Sequence, residues 1–258
     1  GSNTLASDHG VDALVVRYTA ETPSITREGN TLRTDASTLL DDLILFAIRE
    51  NMEGLASFRG IPGTVGGAIT GNAGAYGFEI SQLLVELTLL KPDNTVVAVP
   101  RNALHFSYRD SDLKHNGDIV LSAVFALKPG KNAAEMQRAH DAIIANRQKK
   151  HGDWRKHPSA GSFFRNVEPT SKAGKRESAG WFLEQAGAKE LNINGAHSYP
   201  EHANIITRDE SASAQAVYDL TTTMQRLVRE KFGIELVREV RLLGRFDGAP
   251  DGCTKNYW

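Results

Sequence analysis

Seven of the 23 glycines in this 258-residue chain fall between Gly60 and Gly77, so that stretch answers a different demand from the rest. The string GIPGTVGGAITGNAGAYG puts glycine at 60, 63 and 66, then at 71, 74 and 77: two G-x-x-G-x-x-G triplets. Glycine accepts positive φ and lets a ligand come close to the backbone. Successive N–H groups in such turns can form a nest for an anion. Small neighbours (Thr64, Ala68, Asn72, Ala73, Ala75) keep the wall thin. The string lacks both the GK[ST] ending of a P-loop and the G-x-G-x-x-G of a dinucleotide turn. Composition alone leaves two readings open, a phosphate cradle or a structural glycine loop packed on a sheet.

Three other residues are of types that move protons or steady charge. Arg109, in FSYRDS, carries a permanent charge and can fork onto two oxygens; a surface pair with Asp110 or Asp112 would use it equally well. Ser162, in AGSFFRN, can release a proton only with help from positive charge or hydrogen bonds, and Lys156, His157 and Arg165 are near in sequence. A serine between Gly161 and Phe163 also suits a turn. Glu239, in REVRLLG, would share one side of a strand with Val237, Arg241 and Leu243. There it could act as an acid or join a cross-strand ion pair. His197 and His202 are five apart with Pro200 between them, not the i, i+4 pair of a zinc helix, so no metal is inferred.

These residues need elements to hold them. ALVVRY reads as a short strand, and SITREGNTLRT as two strands turned at Glu28-Gly29-Asn30. STLLDDLILFAIRE reads as a helix with Ser37 as N-cap and Leu39, Leu43 and Phe46 on one face. VELTLLK and TVVAVP form a hairpin around Pro92-Asp93-Asn94, and DIVLSAVFALKP a strand with Ile119, Leu121, Ala123, Phe125 and Leu127 on one face. The pattern then changes near Pro129-Gly130. A helix over AAEMQRAHDAIIANRQKK, a short helix ending at Gly187, a strand ANIITR, a long helix from Ser213 to Phe232 closed by Gly233, and a strand ELVREVRLLG follow. The fold class is α+β in two lobes.

Composition excludes several classes. Hydrophobic residues at 40% and charged residues at 24% are ordinary for a globular chain and exclude a disordered one. A net charge of -1 gives no footprint for nucleic acid or an anionic membrane. A single cysteine, Cys253, cannot build a disulfide framework and points to a reducing compartment. No apolar run reaches the roughly 18 residues of a membrane span. The expectation is a cytoplasmic protein without nucleic-acid or membrane partners.

The glycine string, GIPGTVGGA-x-x-x-NAGAYG, closely resembles the flavin-binding segment of the UDP-N-acetylenolpyruvoylglucosamine reductase family, the UDP-N-acetylmuramate dehydrogenases of peptidoglycan synthesis. GSNTLASDHGVDALVVR, FSYRDS, AGSFFRN, AGWFLEQAGAK, EHANIIT and KFGIELVREVRLLG resemble further family motifs in the same order, from residue 1 to about 245. The resemblance implies a vanillyl-alcohol-oxidase-type FAD-binding domain over 1–130, a smaller α+β substrate-binding domain over 131–246 and a flexible tail over 247–258. The chain is similar to the shorter subclass, without an extra substrate-covering loop, and TSKAGKRES reads as a surface-loop insert. Family members carry a further N-terminal segment. A chain that starts inside the GSN loop is therefore expected to be truncated and to hold FAD weakly.

The resemblance also implies roles. FAD would be bound by Ser2, Asn3, Ile61, Pro62, Gly63, Thr64, Gly66, Gly67, Asn72, Gly74 and Ala75. NADPH would supply hydride, and the substrate would be a UDP-sugar enolpyruvyl ether. Arg109 and Glu239 would act on the substrate carboxylate, and Ser162 would protonate carbon. Tyr108, Asn166, His202 and Asn204 would contact substrate. A monomer or weak dimer is expected. Two alternatives remain: another flavoprotein oxidoreductase of the same fold, and a non-catalytic or flavin-poor remnant of the family.

Overall fold

The computed structural model describes residues 1–130, 132–153, 156–168 and 176–249. They gather into two compact units. One comprises Val15–Asn146; the other joins Gly1–Leu14 to the chain from Arg147 onward. The division therefore falls later than the pattern change near Pro129-Gly130, and the first residues group with the far end of the chain. The reason is a parallel pairing: Thr4–Ala6 lies beside Arg241–Leu243.

The unit Val15–Asn146 is built on a five-stranded antiparallel sheet in the order Ile25–Glu28, Thr31–Asp35, Ile119–Ala126, Leu84–Leu90, Val96–Pro100. Both expected hairpins form, with Gly29 at φ 57 and Asn94 at φ 65 supplying the left-handed turn residues. Helix α1 (Leu40–Arg49) buries Leu40, Leu43, Ile44, Ala47 and Ile48 against Leu32, Leu87, Leu89, Ala123 and Phe125 of the sheet. Its apolar face is rotated from the expected one. Leu39 is the N-cap, bridged to Thr64, while the Ser37 hydroxyl accepts the Ala20 N–H instead of capping the helix. In Ile119–Ala126 a bulge between Val120 and Ser122 shifts the alternation, so Val120 is buried and Ile119 is not. Helix α2 (Val65–Thr70) lies in the glycine run, and Met136 of helix α3 (Ala133–His151) completes this core.

ALVVRY does not form the expected strand. Leu14, Val15 and Val16 are 89%, 70% and 76% exposed. β-propensity makes a strand only where a neighbour accepts its hydrogen bonds, and none of the described strands pairs with this segment.

The other unit has an antiparallel sheet of Asn192–Ile193, Ala196–Tyr199 and His202–Arg208. Helices α4 (Ala179–Gln185) and α5 (Ala214–Phe232) cover it, packing Phe182, Leu183, Leu220, Met224 and Val228 around Ile206. Helix α5 is capped by the Ser213 hydroxyl and closed by Gly233 at φ 68, as its sequence predicts. The final strand is shorter than expected, Arg241–Leu243 only. Cys253, Trp154 and most of the TSKAGKRES insert lie outside the described residues.

Candidate active site

Within Val15–Asn146 the glycine run is folded rather than open. The N–H of Gly60 donates to Asp41 Oδ1 at 3.0 Å, and that of Ile61 to Phe58 O at 3.0 Å. At the start of α2, Val65 donates to Thr38 O, Gly66 to Ala36 O and Gly67 to Thr64 Oγ1. The first turn of α2 therefore spends its N–H groups inside the protein. A Cβ at Gly66 would press on Ala36 Cβ at 3.0 Å, so that glycine serves packing. Downstream, Gly71, Asn72 and Ala73 donate to Gly67, Ile69 and Ala68 carbonyls, and Gly74–Ala75 pairs with Phe78–Glu79 in a hairpin. The phosphate cradle that composition left open could use only a small part of the run.

That part fits a dinucleotide. Thr64 faces Leu39 in a bridge whose bonds run from Leu40 N–H to Gly63 O and from Val65 N–H to Thr38 O. Thr64 is thus in a non-hydrogen-bonded pair, and its own N–H points away from the partner. Pro62 and Gly67 are exposed, and a Cβ at Gly67 would meet only Thr64 Oγ1, at 3.5 Å. Ile61–Thr64 and the outer side of Gly67 form a thin wall with an outward donor, where the edge of a flavin nucleotide could lie close to backbone.

The arginine motif is fastened to this run. Phe106–Ser107 and Asp110–Ser111 form a hairpin with Tyr108 and Arg109 as its loop. Asn72 Nδ2 donates to Ser107 O at 2.7 Å, Arg109 Nη2 to Gly74 O at 2.6 Å and Ser111 Oγ to Thr70 O at 2.7 Å. A Cβ at Gly74 would come 2.9 Å from Phe78 O and 2.5 Å from Arg109 Nη1, so Gly74 is bare for its own hairpin as well as for the guanidinium. Asn72 is fully buried, with its amide also bonded to Glu79 Oε2 at 3.0 Å. Gly66, Asn72 and Gly74, expected at the cofactor, also serve the fold of the site. Among the described residues, six non-glycines have positive φ; four are asparagines, and the other two are Tyr76 (φ 54) and Arg109 (φ 56). An arginine in that region is costly, and such strain gathers at working sites. The Arg109 guanidinium lies 5.0 Å from the Tyr108 ring centre. Asp110 is bonded to the His115 ring and Asp112 to the His105 N–H. Burial pulls the Asp110 carboxyl up, but the His115 hydrogen bond and charge outweigh it and hold it below its ordinary value. Ser111 was not an expected site residue; its place in FSYRDS was the only signal for it.

The serine and glutamate motifs meet in the other unit. Ser162 bridges Ile205 and Phe164 bridges Arg238, so Ser162–Phe164 runs antiparallel between His202–Arg208 and the segment around Glu239. Phe163 N–H donates to Asn204 O at 2.8 Å. Phe163 O accepts from both Glu239 N–H (2.8 Å) and Val240 N–H (3.4 Å). Exposure alternates through this stretch as expected: Leu236, Val240 and Leu242 are buried, whereas Val237, Glu239, Arg241 and Leu243 are not. Asn3, expected at the flavin, donates from Nδ2 to Glu239 O at 3.1 Å, and its carbonyl accepts from Arg241 N–H. Ser2 lies in this unit too. The half-buried Ser162 hydroxyl makes no hydrogen bond to another described residue.

The expected substrate contacts differ in character. Asn166 is exposed and accepts the Ala179 N–H at the start of α4, at 3.3 Å. His202 Nδ1 accepts the Asn204 N–H at 3.2 Å, which places the imidazole proton on Nε2. Burial holds the His202 ring below its ordinary value of 6.5, with the Glu184 charge opposing. Asn204 is buried, its side chain spent on Phe164. Among the described residues no cluster of His, Cys, Asp or Glu could hold a metal, and no helix is long and apolar enough to cross a membrane.

Comparison with known proteins sets the glycine run within a cofactor-binding domain family. The FAD binding domain family matches residues 1–99, and the C-terminal domain family of UDP-N-acetylenolpyruvoylglucosamine reductase matches residues 152–243. An FAD-binding α+β oxidoreductase is the class these define. Similarity extends through the whole chain. It is 34% identical to UDP-N-acetylenolpyruvoylglucosamine reductase of Clostridium novyi (strain NT), over 95% of this chain and 76% of that protein. It is 36% identical to the enzyme of that name from Synechococcus sp. (strain JA-3-3Ab), over 96% and 76%. The crystal structure of the Thermus caldophilus reductase superposes with a TM-score of 0.78 at 30% identity, over 94% of this chain and 82% of that one. The chain belongs to the UDP-N-acetylenolpyruvoylglucosamine reductase family.

Proposed function

We propose that this chain is an FAD-dependent, NADPH-oxidising reductase that converts the enolpyruvyl ether of UDP-N-acetylglucosamine enolpyruvate to UDP-N-acetylmuramate for peptidoglycan. The observation that carries the reading is the seating of Arg109 on the glycine run through Gly74, beside a wall that fits the flavin nucleotide. FAD would be held by Ile61, Pro62, Gly63, Thr64 and Gly67, with Ala75 nearby, and when bound it supplies the hydride acceptor and donor.

Arg109 meets the negative charge that builds on the substrate carboxylate during reduction. Gly74 O holds Nη2 of this guanidinium, a group whose planar fork suits the two oxygens of a carboxylate. Such stabilisation is strongest where the donor is fixed in advance. Glu239 shares that carboxylate. Ser162 gives a proton to the carbon next to the carboxylate, and its hydroxyl has no competing partner among the described residues. Tyr108, Asn166 and His202 line the substrate. We assign flavin binding to 1–130 and substrate binding to 131–246, with 247–258 as a tail. The same reading takes the protein as cytoplasmic, a monomer or weak dimer, with no nucleic-acid or membrane partner.

Ser162→Ala tests the proton donor. NADPH should still bleach bound FAD at close to the parental rate. Reoxidation by the enolpyruvyl substrate should fall by the roughly 10²–10⁴-fold typical of an acid–base group. Equal loss in both steps, followed by stopped-flow absorbance, would return Ser162 to a turn.

A further inference from the structure

Asn204 sits mid-strand and is only 2% exposed, where an unsatisfied carboxamide would be expensive. It is satisfied in one specific way. Oδ1 accepts the Phe164 N–H at 2.9 Å, and Nδ2 donates to Phe164 O at 2.8 Å. The backbone carbonyl of Asn204 accepts the Phe163 N–H at 2.8 Å. One residue thus holds the two residues that follow Ser162. Its side chain does for Phe164 what a neighbouring strand would do. On the opposite side, Phe163 O is gripped by the N–H groups of Glu239 and Val240. The short backbone path from Ser162 to Glu239 is therefore clamped at both edges, and a leucine at 204 could fill the space but not the clamp.

We propose that Asn204 is a positioning residue: it fixes the Ser162–Phe164 backbone so that the serine hydroxyl and the Glu239 carboxyl hold their reacting geometry, and it does not touch substrate. The inference rests on the reading of Ser162 as proton donor. Removing the carboxamide leaves two buried backbone groups of Phe164 without partners, and the local strand must shift to find others. A misplacement of about 1 Å can cost about 10²-fold in rate.

The experiment uses the flavin-loaded chain with Asn204→Ala and Asn204→Asp. Reduction by NADPH should stay within about twofold of parental, and reoxidation by the enolpyruvyl UDP-sugar should fall about 10²-fold. The substrate Kd, read by flavin absorbance titration, should be unchanged. In flavin-free protein the Phe164 amide should exchange hydrogen faster. The defects of Ser162→Ala and Asn204→Ala should combine to less than their product, because Asn204 acts in part through the serine. A protonated aspartic acid can make both bonds, so the defect of Asn204→Asp should shrink as the pH is lowered. This variant keeps the test open if Asn204→Ala does not fold. A raised Kd with normal reoxidation at saturation would make Asn204 a substrate contact. Equal loss in both steps with a lower Tm would make it purely structural. Either outcome overturns the inference. If Ser162→Ala itself reoxidises at the parental rate, the donor assignment fails. If Ser162→Ala collapses while both Asn204 variants do not, only the clamp fails.

Discussion

Arg109 combines a left-handed backbone with a guanidinium seated on a glycine carbonyl. Left-handed backbone at a residue with a Cβ costs of order 1–3 kcal/mol, so something else must hold it there. The Asn72, Gly74 and Thr70 bonds around the hairpin supply that restraint. Arg109→Lys keeps the charge but loses the planar fork and the fit over Gly74. It should slow reoxidation by the enolpyruvyl substrate by about 10²-fold while leaving NADPH-driven bleaching nearly intact. A lysine variant that turns over at the parental rate would show that Arg109 is only a surface cation.

At the scale of elements, the glycine run is a machine part made of a short helix and a hairpin. Its outer end at Ile61–Thr64 reaches the surface at Pro62, and its inner end is bolted to the arginine hairpin. Asn72 is the bolt, fully buried at φ 44, with bonds to Ser107 O, Glu79 and the Ser81 N–H. Asn72→Ala should cost about 1–3 kcal/mol, the price of leaving such groups unpaired. It should also weaken the substrate step through Arg109. Denaturant midpoints and single-turnover rates check both halves, and a variant losing stability with unchanged single-turnover rates would separate the bolt from the arginine.

Across the whole molecule, the chain closes on itself. Thr4–Ala6 pairs with Arg241–Leu243, the Ser7 hydroxyl donates to Arg245 O, and Asp8 Oδ2 accepts the Ala214 and Gln215 N–H groups at the start of α5. A carboxylate there satisfies donors that a helix cannot and favours its positive pole. Asp8→Ala should destabilise the unit from Arg147 onward by about 0.5–2 kcal/mol, the usual value of a cap. Hydrogen exchange at the Ala214 and Gln215 amides should accelerate, while the α1 amides should not change. Acceleration at both places would mean that Asp8 supports more than the α5 start.

What the sequence determined was local or written in strings. The hairpins at Gly29 and Asn94 follow from turn chemistry, and α5 from its apolar period with Ser213 and Gly233 at its ends. The family could be read from FSYRDS, AGSFFRN and the glycine string, because motifs survive as contiguous text. Tertiary structure decided whatever depends on partners far along the chain. ALVVRY has strand-forming residues but no neighbour to bond, so it is not a strand. Leu39 became an N-cap because Thr64 bridges it, which turned the face of α1. Asn72, Gly74 and Asn204 also support neighbouring backbone, which only their distant partners reveal. Periodicity tells which side of a regular element is apolar; only three-dimensional pairing tells where the element stops being regular and which buried polar atoms are already spent.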